Sequence, residues 1–232
     1  MTTATTTRTF DLADADVREL NAALHDPSCE GQHFRVLNPR GRHALAVGAV
    51  AHAIVDIEGH AGYYCAGMNQ HAEIRVHGNA GVGVAENMMS GTVVVDGDAS
   101  ASAGATAHGG LLVVHGSAAA RCGISLKGAD IVVRGSVGHL SAFMAQKGRL
   151  LVCGDTGEAL GDSIYEARLY VRGEVRGLGA DCIEKEVREE HRAEIAELLQ
   201  RAGISDISPE EFRRYGSARR LYHWNAEHHQ SY

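Results

Sequence analysis

The chain has little of what usually marks a site of chemistry. Its five cysteines are an odd number and include no Cys-x-x-Cys pair, which excludes the ordinary pattern of a disulfide framework, zinc site or iron–sulfur site. Aromatic residues make up only 5%, few for a sugar-binding groove. No apolar run approaches the ~18 residues of a membrane span. The Thr-rich start, Met1 to Thr9, has no apolar signal-peptide core, so a cytoplasmic protein is expected. A net charge of −7 argues against nucleic acid as the main partner. No Gly-x-x-x-x-Gly-Lys-Ser/Thr loop occurs, and Gly78-Asn-Ala-Gly81-Val-Gly83 precedes no helix, so neither a phosphate loop nor a dinucleotide fingerprint is present. The histidines are many but scattered, without ligand spacing on a common face except at His228-His229, and no metal or other cofactor is expected in this chain.

What the chain does have is glycine, 28 of 232 residues against a usual share of ~7%. Gly59, Gly78, Gly97, Gly116, Gly135, Gly154 and Gly173 stand at an unbroken interval of 19 residues. A fixed period repeated this often means one supersecondary unit stacked along an axis. Two residues before each glycine is a β-branched aliphatic, from Ile57 to Val171, and four before is Val, Ile or Leu. The residue between them drifts from Asp56 and Arg75 to Leu151 and Tyr170, as a side chain on the other strand face does. Residues six before and seven after each glycine are always Ala or Gly, which suits tight corners. One strand and two corners per unit predict an all-β, single-stranded parallel β-helix of about seven turns, a rod of roughly 30 Å at ~4.8 Å per coil. Cys65 and Cys122 fall in one column three coils apart, ~14 Å and too far to bridge, and read as buried small residues.

Three segments follow: residues 1–50 as an arm, short helix and irregular first coil, 51–181 as the β-helix, and 182–232 as a C-terminal helix and tail. Stacked coils need caps at both ends. At the front, Asp14 or Asp16 starts a helix with Val17, Leu20 and Leu24 on one face. After the last coil, Asp181 and Glu184 read as a capping box opening a helix that carries Ile183, Val187, Ile195 and Leu199 on one face. Glu184–Arg188 and Glu197–Arg201 support that helix and Gly203 ends it. Ser208-Pro209-Glu210-Glu211 starts a second, short helix. In the tail, arginines alternate with Tyr215, Leu221, Tyr222 and Trp224, a composition that suits either packing back onto the rod or docking another polypeptide.

A catalytic site on such a rod would be a stacked cluster of acid or base groups. The nearest pattern is the column before the glycines, Glu58, His77, Asp96, His115, Arg134, Cys153 and Arg172, whose mixed signs fit a solvated ladder. Asp96 with Asp98, and Asp155 with Asp162, flank turn glycines and are explained by turn chemistry. No catalytic residue is assigned.

Several non-repeating strings carry a resemblance. Gly62-Tyr-Tyr-Cys-Ala-Gly-Met-Asn69, Gly83-Val-Ala-Glu-Asn-Met-Met-Ser-Gly91 and Arg121-Cys-Gly-Ile-Ser-Leu-Lys-Gly128 resemble the GXGXG domain of glutamate synthases. Ser136-Val-Gly-His-Leu-Ser-Ala-Phe-Met-Ala-Gln146, Leu160-Gly-Asp-Ser-Ile-Tyr-Glu-Ala167 and Arg214-Tyr-Gly-Ser-Ala-Arg219 resemble its stand-alone branch, the separate GXGXG subunit of N-methylglutamate synthases (methylamine–glutamate N-methyltransferases). The likeness spans about Phe10 to Trp224; the subunit of formylmethanofuran dehydrogenases that uses the same repeat is a more distant one.

This resemblance implies a right-handed β-helix and a non-catalytic scaffold in a complex that converts methylamine and L-glutamate to N-methylglutamate and ammonia. It implies two partners, a class II glutamine amidotransferase-like subunit and a glutamate synthase-like subunit holding FMN and an iron–sulfur cluster. The N-terminal Cys of such amidotransferases is not found here, where Met1 is followed by Thr2. Partner contacts are expected at exceptions to the repeat, Met68, Asn69, Asn87, Met88, Met89, Phe143, Met144 and Tyr165, and in the tail at Arg214, Tyr215, Tyr222 and Trp224. The alternatives are a split-subunit glutamate synthase, a formyl-transferring complex, and a free-standing polysaccharide enzyme acting through Asp96 or Asp155.

Overall fold

The computed structural model describes residues 7–219. The described residues form one sheet of eleven strands wound as a parallel β-solenoid of about seven turns, in keeping with the right-handed β-helix expected. The strands are β1 (Thr7–Asp11), β2 (His33–Leu37), β3 (Ile54–Ile57), β4 (Glu73–Val76), β5 (Thr92–Val95), β6 (Leu111–Val114), β7 (Lys127–Val133), β8 (Lys147–Val152), β9 (Arg168–Val171), β10 (Cys182–Lys185) and β11 (Arg213–Ser217). The two α-helices among the described residues are α1 (Val17–His25) and α2 (Glu189–Arg201). Ile54, Glu73, Thr92, Leu111, Asp130, Arg149 and Arg168 pair in succession at a constant 19-residue step.

The two aliphatic columns line the interior. Val55 and Ile57, and their equivalents up to Leu169 and Val171, are almost wholly buried. Each such side chain contributes about 1.5–3 kcal/mol by leaving water. A second contact line runs two residues after the glycines, where Ala61, Ala80, Ala99, Ala118, Val137, Thr156 and Val175 bridge coil to coil. From Gly78 to Gly173 the periodic glycines are required by close approach rather than by positive φ; Gly59 alone of the seven has a positive φ, +134°. A Cβ on Gly116 would lie 2.7 Å from the Gly97 carbonyl oxygen and 2.3 Å from Asp98 Oδ1. Left-handed backbone occurs instead at the column seven after, as at Ala66, Ala85, Gly104, Gly123, Ala142 and Gly161.

Both ends are closed. At the front, Asp16 caps α1 by accepting from the Arg18 N–H at 2.8 Å, and Leu20 and Leu24 are buried under it. The Thr-rich start supplies β1, which pairs in parallel with β2. At the back the structure corrects the sequence reading. Cys182–Lys185 is a strand rather than the first turn of a helix, so Asp181 and Glu184 form no capping box. The helix begins at Glu189, after Arg188, whose backbone N–H donates to His191 Nδ1 at 3.0 Å. Of the two proposed helical pairs, Glu197–Arg201 forms at 3.2 Å, while Glu184 and Arg188 do not share a helix. The physical reason is the open edge of β9. β11 returns antiparallel along it, with β10 on its far side, giving the order β9–β11–β10. Pairing these exposed backbone groups outweighs a local capping signal. The segment Pro209–Glu211 is a single 3-10 turn with the expected capping box between Ser208 and Glu211.

Helix α2 explains the drift of the middle strand column. Ile195, Leu198 and Leu199 pack with Ile204 and Phe212 on the outer sheet face, against Val113, Val132, Leu151 and Tyr170. Where no helix lies, the same column is polar, at Asp56 and Arg75.

Candidate functional site

The polar columns are engaged in holding coils together. The column after the glycines forms a spine in which each side chain accepts from the backbone N–H of the next coil. Asn79 N–H donates to His60 Nδ1 at 2.9 Å, Asp98 N–H to Asn79 Oδ1 at 3.0 Å, and Ser117 N–H to Asp98 Oδ1 at 2.8 Å. Ser136 N–H donates to Ser117 Oγ at 3.2 Å, Asp155 N–H to Ser136 Oγ at 3.0 Å, and Glu174 N–H to Asp155 Oδ1 at 2.8 Å. The signal was present in the sequence as an acceptor side chain at six successive positions. It also removes Asp98 and Asp155 from any free carboxylate pair.

The column before the glycines is an ion-paired ladder in its first coils. His77 lies between two carboxylates, with Nε2 at 2.8 Å from Asp56 Oδ1 and Nδ1 at 3.0 Å from Asp96 Oδ2. A ring that meets acceptors at both nitrogens is suited by the imidazolium form. Burial pulls its pKa down, but the hydrogen bonds to Asp56 and Asp96 outweigh this and the net shift is upward. Burial raises Asp56 and Asp96, yet His77 and His33 on the first and Arg75 and His77 on the second carry both below the usual carboxylate value.

The five cysteines are free and buried. Burial pushes the thiols of Cys65 and Cys122 up to about 12, so neither is a thiolate nucleophile at neutral pH. Among the described residues no group of three or more His, Cys, Asp or Glu side chains is placed to hold a metal ion. No helix among them is long and apolar enough to cross a membrane.

Two exposed apolar pairs remain at one corner of the rod, Met68 with Met89 and Met144 with Tyr165, with Thr106 and Ser125 in the coils between them. Met68, Asn87 and Met144 occupy one corner column, and Met89 and Tyr165 another two residues further along the coil. Each coil's backbone bonds to the next there, as Met68 N–H to the Glu86 carbonyl and Met89 N–H to that of Asn69. Met68, Met89, Met144 and Tyr165 are 46–52% exposed, large apolar side chains that no part of the described chain covers. Phe143 and Asn87 are half-buried beside them. The positive φ of Met68, Asn87 and Met144 recurs at Thr106, Ser125 and Ser163, so it belongs to coil geometry and marks no special strain at the exposed methionines.

Other residues expected at partner contacts lie elsewhere. Asn69 is fully buried and staples a corner, with Nδ2 donating to the Ala72 carbonyl at 2.8 Å and Oδ1 accepting from the Ala72 N–H at 3.1 Å. Met88 is fully buried in the core. Tyr215 packs into the interior beneath β11, and Arg214 is half-buried beside α2. Tyr222 and Trp224 lie outside the described residues, as do Leu221 and His228-His229. The sequence reading missed Tyr63 and Tyr64 as surface groups. Both are about half exposed, and Tyr63 stacks on His43 with centroids 4.5 Å apart.

No protein-family model matches the chain. It is 58% identical over 225 residues to Protein GlxC of Rhizobium meliloti (strain 1021), an alignment that covers 96% of this chain and 99% of that protein. At that identity over nearly both whole lengths, the chain belongs to the GlxC family.

Proposed function

We propose that this chain is the non-catalytic scaffold subunit of a glutamate synthase-like, flavin-dependent complex, with N-methylglutamate synthase as the specific assembly. The observation that carries this reading is a set of exposed apolar side chains at one corner of the rod. They stand half exposed in two pairs on adjacent coils, Met68 with Met89 and Met144 with Tyr165, four coils apart, on a rod whose polar columns are occupied in coil-to-coil bonding. Exposed apolar side chains of this size on a rigid frame suit a protein interface better than a reaction site. The near-full-length identity to GlxC fits the same glutamate synthase-like theme.

In this reading the amidotransferase-like and FMN/iron–sulfur subunits supply the chemistry, and the rod fixes their relative position. The donor set of this chain does not suit an iron–sulfur cluster, because its buried cysteines sit in no metal-binding group among the described residues. A tagged chain purified from its native host is expected to bring down an amidotransferase-like chain and a yellow flavoprotein. Met68→Glu, Met89→Glu and Met144→Glu are expected to weaken that association tenfold or more, without lowering the melting temperature of the isolated chain. Purification of the tagged chain alone, with no flavin absorbance, would refute the scaffold reading.

A further inference from the structure

The outer face of the C-terminal cap carries two cations, Lys185 and Arg214, that form no ion pair among the described residues. In the β9–β11–β10 arrangement, Tyr170 pairs with Arg214, and Arg214 pairs with Lys185. Two cations therefore stand directly opposite each other across an antiparallel pair, an arrangement that destabilises a sheet unless something neutralises it. The Lys185 side chain makes no hydrogen bond or ion pair among the described residues. Arg214 donates from Nη1 to the Glu186 carbonyl at 2.8 Å, and its Nε is buried without an acceptor. Elsewhere on the rod arginines rest on carboxylates, as Arg35 on Glu58, Arg75 on Asp96, Arg149 on Asp130 and Arg172 on Glu211.

The start of α2 faces the same place. His191 is buried, and its Nδ1 accepts from the Arg188 N–H at 3.0 Å, which leaves the ring proton on Nε2. Burial and then the charge of Arg214 hold its pKa below the ordinary histidine value, so at neutral pH it is an uncharged donor. Its nearest carboxylate, Glu190, is 3.8 Å away, too far for a hydrogen bond. Between this helix start and the sheet lies a cleft of about 530 Å³, lined in part by Lys185, Arg188, His191, Arg214 and the carboxylates of Glu186 and Glu190. An adjoining cavity of about 160 Å³ shares Lys185 and Arg214 and is lined also by Glu166, Arg168 and Arg219. The Arg188–Glu186 pair at 3.1 Å accounts for one of the two carboxylates.

We propose that this cleft binds an oxyanion, a carboxylate or phosphate group, between Lys185 and the Arg214 guanidinium at the N-terminal end of α2. An oxyanion there would separate two like charges and meet the positive end of the helix dipole. Scaffold function is neither assumed nor required, so failure of one proposal leaves the other standing.

Calorimetric titration of the full chain tests it, using inorganic phosphate in one arm and succinate in the other, with ionic strength held constant by sodium chloride. Saturable binding is expected in at least one arm, with a Kd of about 1 mM or tighter. Lys185→Gln and Arg214→Gln should each weaken it at least tenfold. Arg176→Gln, which removes an exposed cation elsewhere on the rod, should leave it unchanged. Lys185→Gln breaks no bond among the described residues and removes one of two opposed cations, so it should not lower the melting temperature in oxyanion-free buffer, which keeps loss of binding distinct from loss of fold; Arg214→Gln also loses the bond to the Glu186 carbonyl. Saturation by phosphate alone assigns the site to phosphate, and saturation by succinate alone assigns it to carboxylates. No saturation in either arm, or undiminished affinity in both variants, overturns the proposal.

Discussion

His77 holds the most informative titration in the rod. Its folded pKa lies above the ordinary value of about 6.5, so the stability it adds is fully present below that value. It is lost as pH rises through the raised folded pKa. The carboxylates of Asp56 and Asp96 have the opposite sign. Their contribution is present above about 4 and disappears as pH falls through their depressed folded values. The ladder is therefore strongest between about pH 4 and pH 6.5. His77→Gln should cost about 1 kcal/mol or less in that window, as expected for a partly exposed pair. The difference from the parent should shrink steadily toward pH 9 in urea unfolding. A difference that stays constant across that range would show that the imidazolium does not bridge the two carboxylates.

At the scale of elements, α2 is held by apolar contact with the outer sheet face, far from the interior of the solenoid. Leu198 is fully buried in that contact. Leu198→Ala should destabilise the protein by about 2–5 kcal/mol, through lost transfer energy plus the cavity left behind. Chemical denaturation would measure it, and a loss below about 1 kcal/mol would mean that the helix is not anchored there. The docking place was written in the middle strand column, where Val113, Val132, Leu151 and Tyr170 replace Asp56 and Arg75. What could not be read was the insertion of β11 between β9 and β10. Cys182–Lys185 carries a local helix signal, and its strand state depends on partners about thirty residues away. Long-range pairing of this kind leaves no periodic trace in a short segment.

The whole molecule behaves as a stack in which each coil meets only its neighbours. Removing one complete period, Asp98–Gly116, joins Gly97 to Ser117 and sets β7 where β6 had been, with every column still aligned. That variant should fold cooperatively, with β-rich circular dichroism and a lower melting point. Deleting only Asp98–Thr106 shifts interior residues onto the wrong face and should abolish folding. If both deletions behave alike, the coils are not equivalent units.

The sequence by itself determined the solenoid, its coil length and its interior columns. These follow from a repeat in which every position sees the same neighbours one period away, so local composition and three-dimensional environment coincide. Tertiary structure alone decided which exceptions to the repeat face outward. Met68, Met89, Met144 and Tyr165 stand exposed, while Asn69 and Met88, adjacent to two of them in the chain, are inside. Tertiary structure alone also set Arg214 against Lys185. Neither outcome is periodic: one depends on the side-chain direction at a corner, the other on two distant segments meeting at an open sheet edge.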